Sequence, residues 1–211
     1  MTTTITVWAD VRCPWCWMGH RRLRSALGRL DRETVVEHRS FLLEPAGPEG
    51  AFLTVREAAL TSWGMDEREW EAVRSRVATA AGAQGLTIDM DGARSVDSRP
   101  VHRLLKYATA RGVDAHRAWD DAFAAHLAAN DDLTDPVALR RLAAGWGIRG
   151  AEVDGLLAGE DLLAEVEADH RAAVVLGIKS IPTFVSGDRA LSGHRSEDEL
   201  VAFLGAGEDV R

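Results

Sequence analysis

The stretch Ile5-Thr6-Val7-Trp8-Ala9-Asp10-Val11-Arg12-Cys13-Pro14-Trp15-Cys16-Trp17-Met18-Gly19 decides how this chain is read. Ile5 to Trp8 is rich in β-formers and predicts a short strand. Proline suits the first turn of a helix, where its missing N–H would have no partner, so Pro14 predicts a helix start. Cys13 therefore falls at or just before a helix N-terminus, at a strand-to-helix junction. Unpaired backbone N–H groups and the positive end of the helix dipole favour a thiolate there. Arg12 adds a neighbouring cation. The i, i+3 spacing brings Cys16 within the ~4.4–6.8 Å Cα separation that a disulfide requires.

These are the only two cysteines in 211 residues. A staple that closes so small a loop gives little chain-entropy stabilisation, so the pair points to chemistry, with Cys13 as nucleophile and Cys16 as resolving thiol. A zinc half-site needs two further ligands. His20 lies four residues past Cys16, but no second cysteine pair exists, so no metal is expected. Asp10, three residues before Cys13, is a candidate proton acceptor for Cys16 whose charge also opposes a thiolate at Cys13. His20 is a candidate for tuning Cys16, with a solvated helix position as its ordinary reading.

The composition bounds the function. A net charge of −8 excludes a basic nucleic-acid binder, and 46% apolar residues suit a globular core. No run approaches the ~18 apolar residues of a membrane span, and residues 1–10 lack the pattern of a secretory leader, so no membrane association and a cytoplasmic location are expected. No glycine-rich phosphate fingerprint or metal cluster is present, so no cofactor is expected.

Downstream, Gly177-Ile178-Lys179-Ser180-Ile181-Pro182-Thr183-Phe184-Val185-Ser186-Gly187 reads as a helix-ending glycine and a hairpin strand that Pro182 opens. The ordinary preference of X–Pro bonds makes the Ile181–Pro182 bond trans. Between the two ends, residues 54–168 carry helical patterns. Asp66 and Glu69 open a helix striped by Trp70, Val73, Val77 and Ala81. Ser98 and Pro100 open one with Leu104, Leu105 and Ala108 inward. Trp119, Phe123 and Leu127 mark a third, and Asp135-Pro136 opens a fourth with Leu139, Leu142 and Trp146. Thr34 to Leu43 supplies a second strand, Leu162 to Leu176 a return helix, Thr183 to Val185 and Ala190 to Ser192 an antiparallel pair, and Ser196 to Leu204 a last helix.

Cys13-Pro14-Trp15-Cys16 after a first strand, the helical middle and the Ile181-Pro182-Thr183-Phe184-Val185 hairpin resemble the DsbA-like thioredoxin-fold oxidoreductases, above all the FrnE branch. Asp10, Trp17, Gly19 and His102-Arg103-Leu104 also match that branch. Ser180-Ile181-Pro182 and Gly193-His194-Arg195 stand where it has Gly-Val-Pro and Gly-Ala-Gln. The resemblance implies an α/β, thioredoxin-like fold from 1–53 and 169–211 with an all-helical insertion over 54–168. It implies a cis Pro182 against the cysteines, the Ile181 backbone pairing with an extended substrate, and a dithiol–disulfide oxidoreductase acting on protein thiols or a small thiol such as glutathione.

The related kappa-class glutathione transferases and hydroxychromene-carboxylate isomerases are the rival reading. They generally have serine where Cys13 stands. A non-catalytic peptide-binding module is a third, and a homodimer is compatible with any of them. Trp15, between the cysteines, is expected as an exposed platform and Pro14 beside it as part of the substrate surface. His102 is expected to line a groove between insert and frame. Trp63, Trp70, Trp119 and Trp146 are expected to pack inside, and Arg21, Arg22, Arg24 and Arg29 to form a solvated face.

Overall fold

The computed structural model describes residues 3–30 and 33–205. A four-stranded sheet has the order β2-β1-β3-β4, with β1 Thr3–Ala9, β2 Thr34–Ser40, β3 Thr183–Ser186 and β4 Arg189–Ser192. β1 and β2 are parallel, joined across α1 (Pro14–Leu27), while β3 runs antiparallel to β1 and β4 to β3. Gly187, at φ 61, makes the two-residue turn between β3 and β4, a conformation that costs glycine nothing.

The pleat sends β1 side chains both ways. Ile5 and Val7 enter one core with Leu23 and Ala26 of α1, Phe184, and Leu200 and Leu204 of the last helix. Trp8 enters the other, and its indole Nε1 donates to the Asp169 carbonyl at 3.1 Å. β2 ends at Ser40, three residues short of the expected Leu43. Phe41 N–H still reaches the Ala9 carbonyl, but Leu42 N–H turns to His170 Nδ1 and Leu43 N–H to Asp10. Side chains capture the backbone there before the ladder can.

The chain between the sheet halves forms α2 Val55–Thr61, α3 Glu67–Gly82, α4 Arg99–Ala110, α5 Ala115–Leu127, α6 Pro136–Ala144, α7 Gly150–Ala158 and α8 Leu163–Val175. The expected Asp66/Glu69 capping box opens α3, and Thr54 with Glu57 forms another at α2. α9 (Glu197–Gly205) follows Ser196, which is hydrogen-bonded reciprocally with Glu199. The largest core joins Trp8, Val11, Cys13, Cys16 and Met18 to Leu104, Leu105, Trp119, Phe123 and Leu139 of the helical part. Helical segment and sheet thus share one interior, and α8 runs unbroken across residue 168.

One expectation about the surface is corrected. Trp70, Trp119 and Trp146 are buried, but Trp63 is 38% exposed, because it lies beyond the end of α2 in a turn that no second layer covers. The expected solvated face is found: Arg21, Arg24 and Arg29 are exposed and Arg22 is half-buried. Within it Arg21 grips Asp120 of α5 with two bonds, Arg22 donates to the Arg195 carbonyl, and Arg29, just past α1, pairs with Glu197 and Asp198 of α9. Exposed pairs of this kind add little stability.

Candidate active site

Cys13 occupies the N-cap of α1 with extended backbone, φ −90 and ψ 112, and Pro14 follows within the first turn. The Cys13 carbonyl accepts from Cys16 N–H at 3.0 Å and Trp17 N–H at 3.3 Å, which sets Cys16 one turn inward. Both thiols are free. Cys13 is 6% exposed and Cys16 1%. Burial pushes the Cys16 thiol well above its ordinary pKa, and the hydrogen bond with Cys13 and the Cys13 charge add to the rise.

Facing them is the Ile181–Pro182 bond, which is cis. The Cys13 Sγ lies 3.9 Å from the Ile181 carbonyl oxygen, while the Pro182 carbonyl is taken up by Gly193 N–H at 2.8 Å. Gly19, one turn beyond Cys16, lets the proline loop come this close. A Cβ there would sit 2.7 Å from Pro182 Cγ and 3.3 Å from Phe184 Cζ. The structure thus brings together Cys13, Cys16, Pro14, Ile181 and Pro182 from segments nearly 170 residues apart.

Asp10 is wholly buried. Its carboxylate accepts Arg12 N–H at 3.1 Å, Leu43 N–H at 2.9 Å and the Ser98 hydroxyl at 3.1 Å, with His102 Nε2 at 3.6 Å. Burial pushes its pKa up, but His102, the Arg12 charge and Leu43 N–H outweigh this and hold it below the ordinary carboxylate value. The carboxylate is held by groups from three segments. It is a clamp that joins the β1–α1 loop, the end of β2 and the start of α4. Ser98 shows the cost locally: it is the α4 N-cap but makes no side-chain cap, because its hydroxyl serves Asp10. The Asp10 charge acts on the Cys16 thiol by raising its pKa further.

Arg12 is buried and paired with Glu44, and its charge acts on Asp10. His102 is fully buried between Asp10 and Trp119, on the wall of a cleft of about 460 Å³ between β2 and helices α4 and α5. His20 is not solvated. It is buried, its ring stacks on His116 at 3.7 Å, and the groups acting on the Cys16 thiol are Cys13 and Asp10, not this imidazole. α5 packs over that face of α1 and encloses it.

Trp15 is half-buried rather than an open platform. Its ring meets the exposed His194 edge-on at 4.9 Å, with the Arg76 guanidinium 5.7 Å from the ring centre. These two join Ala72, Thr79 and Ala80 of α3 around a hollow of about 550 Å³ beside the cysteines. Sequence reasoning missed Arg76. The sign for His194 was its place in Gly193-His194-Arg195, where the resemblance expected alanine.

A family model described as a DSBA-like thioredoxin domain matches residues 4–205. The chain belongs to the DSBA-like thioredoxin family. Among solved structures, a probable DsbA oxidoreductase from Streptomyces coelicolor is similar at 28% identity, TM-score 0.90, over 99% of this chain and 92% of that one. The cytosolic disulfide reductase DsbM from Pseudomonas aeruginosa, solved with GSH, is similar at 20% identity, TM-score 0.69, over 98% and 100%. A 2-hydroxychromene-2-carboxylate isomerase shares the fold at 13% identity, TM-score 0.66, over 97% and 94%. The comparison with curated proteins found no match. Among the described residues, no helix is long and apolar enough to cross a membrane.

Proposed function

We propose that this protein is a thiol–disulfide oxidoreductase that works through Cys13 and Cys16. The observation that carries the proposal is the Cys13 sulfur at the α1 N-cap, facing the Ile181 carbonyl of the cis-proline loop, with Cys16 buried one turn behind. In the reducing direction, the Cys13 thiolate attacks one sulfur of a substrate disulfide. That S–S bond breaks, the far sulfur leaves as a thiolate, and a Cys13 mixed disulfide forms. The Cys16 thiol then gives up its proton and displaces the substrate sulfur from Cys13. The products are a Cys13–Cys16 disulfide and a second substrate thiolate, so two electrons pass to the substrate. The oxidising direction is the reverse.

The raised Cys16 pKa gives the two steps their order. A protonated, buried Cys16 does not compete as a nucleophile while Cys13 is free. Once Cys13 is tied up in a mixed disulfide, its charge no longer opposes ionisation of Cys16. Asp10 and Arg12 act by holding the loop before Cys13. Trp15, Pro14, Ile181 and Pro182 form the surroundings of the substrate, and His102, fully buried beside Asp10, supports the loop from behind.

The partner we propose is a small thiol such as glutathione or the thiols of a protein. The glutathione in the DsbM structure supports the first. A cytoplasmic setting agrees with that neighbour's description and with a cysteine pair too close in sequence to act as a staple. The test is a Cys16→Ser variant incubated with oxidised glutathione and with a disulfide-containing peptide. Accumulation of a covalent adduct on Cys13 by mass spectrometry is expected, with turnover abolished. Glutathione-dependent turnover that survives Cys16→Ala would instead favour the isomerase or transferase reading.

A further inference from the structure

We infer that His20, His38 and His116 form a binding site for one divalent transition-metal ion of the zinc class, apart from the cysteine pair. The three imidazoles come from α1, β2 and the first turn of α5, and their ring nitrogens lie within 4.8 Å of one another. They converge where the edge strand, the first helix and the helical segment meet, and none of the three is among the groups that act on the Cys16 thiol.

Two features suit a metal. The first is the spacing. His38 Nε2 stands 3.3 Å from His20 Nδ1, which is long for a nitrogen–nitrogen hydrogen bond. Two ligands at a Zn–N distance of about 2.05 Å with a tetrahedral angle are about 3.3–3.4 Å apart, which is the separation found. The second is the tautomer. His20 Nε2 lies 3.0 Å from the His116 carbonyl oxygen, so it carries the proton and donates, which leaves the Nδ1 lone pair directed at His38. A carbonyl behind a ligating imidazole is the usual support of a histidine metal site.

His116 is half-buried and stacked on His20, with a ring nitrogen within 4.8 Å of those of His20 and His38. Beside His38 and His116 a cleft of about 280 Å³ opens towards Asp114 and Arg24, which leaves a fourth position for water or a solvent anion. Asp114 favours a cation there, and Arg24 and Arg21 oppose one. Arg21 is already paired with Asp120. His38 Nδ1 has no hydrogen-bond partner among the described residues. Three nitrogen ligands and no sulfur select Zn²⁺, Co²⁺ or Ni²⁺ over Mg²⁺ and Ca²⁺.

The test uses protein with the sulfurs masked, either oxidised wild type or the Cys13→Ser, Cys16→Ser double variant, so that thiols supply no ligand. Titration with Zn²⁺ by calorimetry should give one ion per chain, and Co²⁺ should develop the visible bands of a low-symmetry, four-coordinate site. His38→Gln and His116→Ala should each weaken Zn²⁺ binding at least tenfold. Zn²⁺ should raise the Tm of the histidine-intact protein but not of His116→Ala, and circular dichroism checks that each variant is folded. The absence of stoichiometric Zn²⁺ binding, or binding that both folded histidine variants retain, overturns the inference. Failure of the disulfide-exchange proposal leaves it standing, because the titration never uses a free thiol.

Discussion

Gly19→Ala tests whether the approach of the cis-proline loop to the cysteines controls reactivity. The new Cβ would lie 2.7 Å from Pro182 Cγ and 3.3 Å from Phe184 Cζ, whereas carbon atoms pack at about 3.5–4.0 Å. Relief requires the loop to move by about 1 Å, and the Ile181 carbonyl, now 3.9 Å from Cys13 Sγ, moves with it. Overpacking costs about 1–3 kcal/mol, and the better helix propensity of alanine returns about 1 kcal/mol, so the net loss of stability is about 0–2 kcal/mol. Misplacement of reacting groups by about 1 Å costs up to ~10²-fold in rate. The assay is single-turnover exchange with a fluorescent peptide disulfide, run beside urea unfolding.

Gly155→Ala is the control. Gly155 lies in α7 with nothing within 4 Å of where an alanine methyl would stand, so that variant should gain about 0.5–1 kcal/mol and keep its rate. If Gly19→Ala exchanges disulfides within threefold of wild type while remaining folded, the close approach of the proline loop is not what sets reactivity.

Three further outcomes follow from the interior. Burial pulls His126 down to a pKa of about 4, so the unfolded chain takes up a proton at about pH 6.5 that the folded chain refuses. Stability from this group is full above about pH 6.5 and falls as the pH drops towards 4, by about 1.4 kcal/mol per unit. His126→Asn should therefore shrink the stability difference between pH 7 and pH 4.5 by about 2–3 kcal/mol in urea titrations, and an unchanged difference would refute the assignment. Arg103 is buried and donates to the carbonyls of Leu156, Gly159 and Asp161. Arg103→Ala should cost about 3 kcal/mol or more through the lost strap and the unpaired carbonyls, and a change under about 1 kcal/mol would show that water replaces it freely. Asp10→Asn removes a charge that opposes ionisation of Cys16, so in a Cys13→Ala background the Cys16 thiol should alkylate at lower pH. An unmoved profile would remove Asp10 from the electrostatics of the site.

Much of the local architecture was legible because it rests on short-range rules. The Asp66/Glu69 box, the Asp135-Pro136 start of α6 and Gly177 after α8 each follow from capping chemistry within a few residues. Histidine burial was not legible. His20 sits on a helix whose exposed-looking run of arginines gives no sign that α5 will cover it. His38 and His116 carry no mark in a β-strand or a first helical turn.

Proline placement and residue spacing act along the chain, so a short strip of residues is enough to put Cys13 at a helix start with Cys16 one turn on. What surrounds those sulfurs came from the packing of distant segments. That packing placed the Ile181 carbonyl beside Cys13, tied Asp10 to three segments, left Trp63 partly exposed and brought three imidazoles together. Desolvation and charge depend on which segments, up to about 170 positions away, come to lie within a few ångströms, and no short window of sequence holds that information.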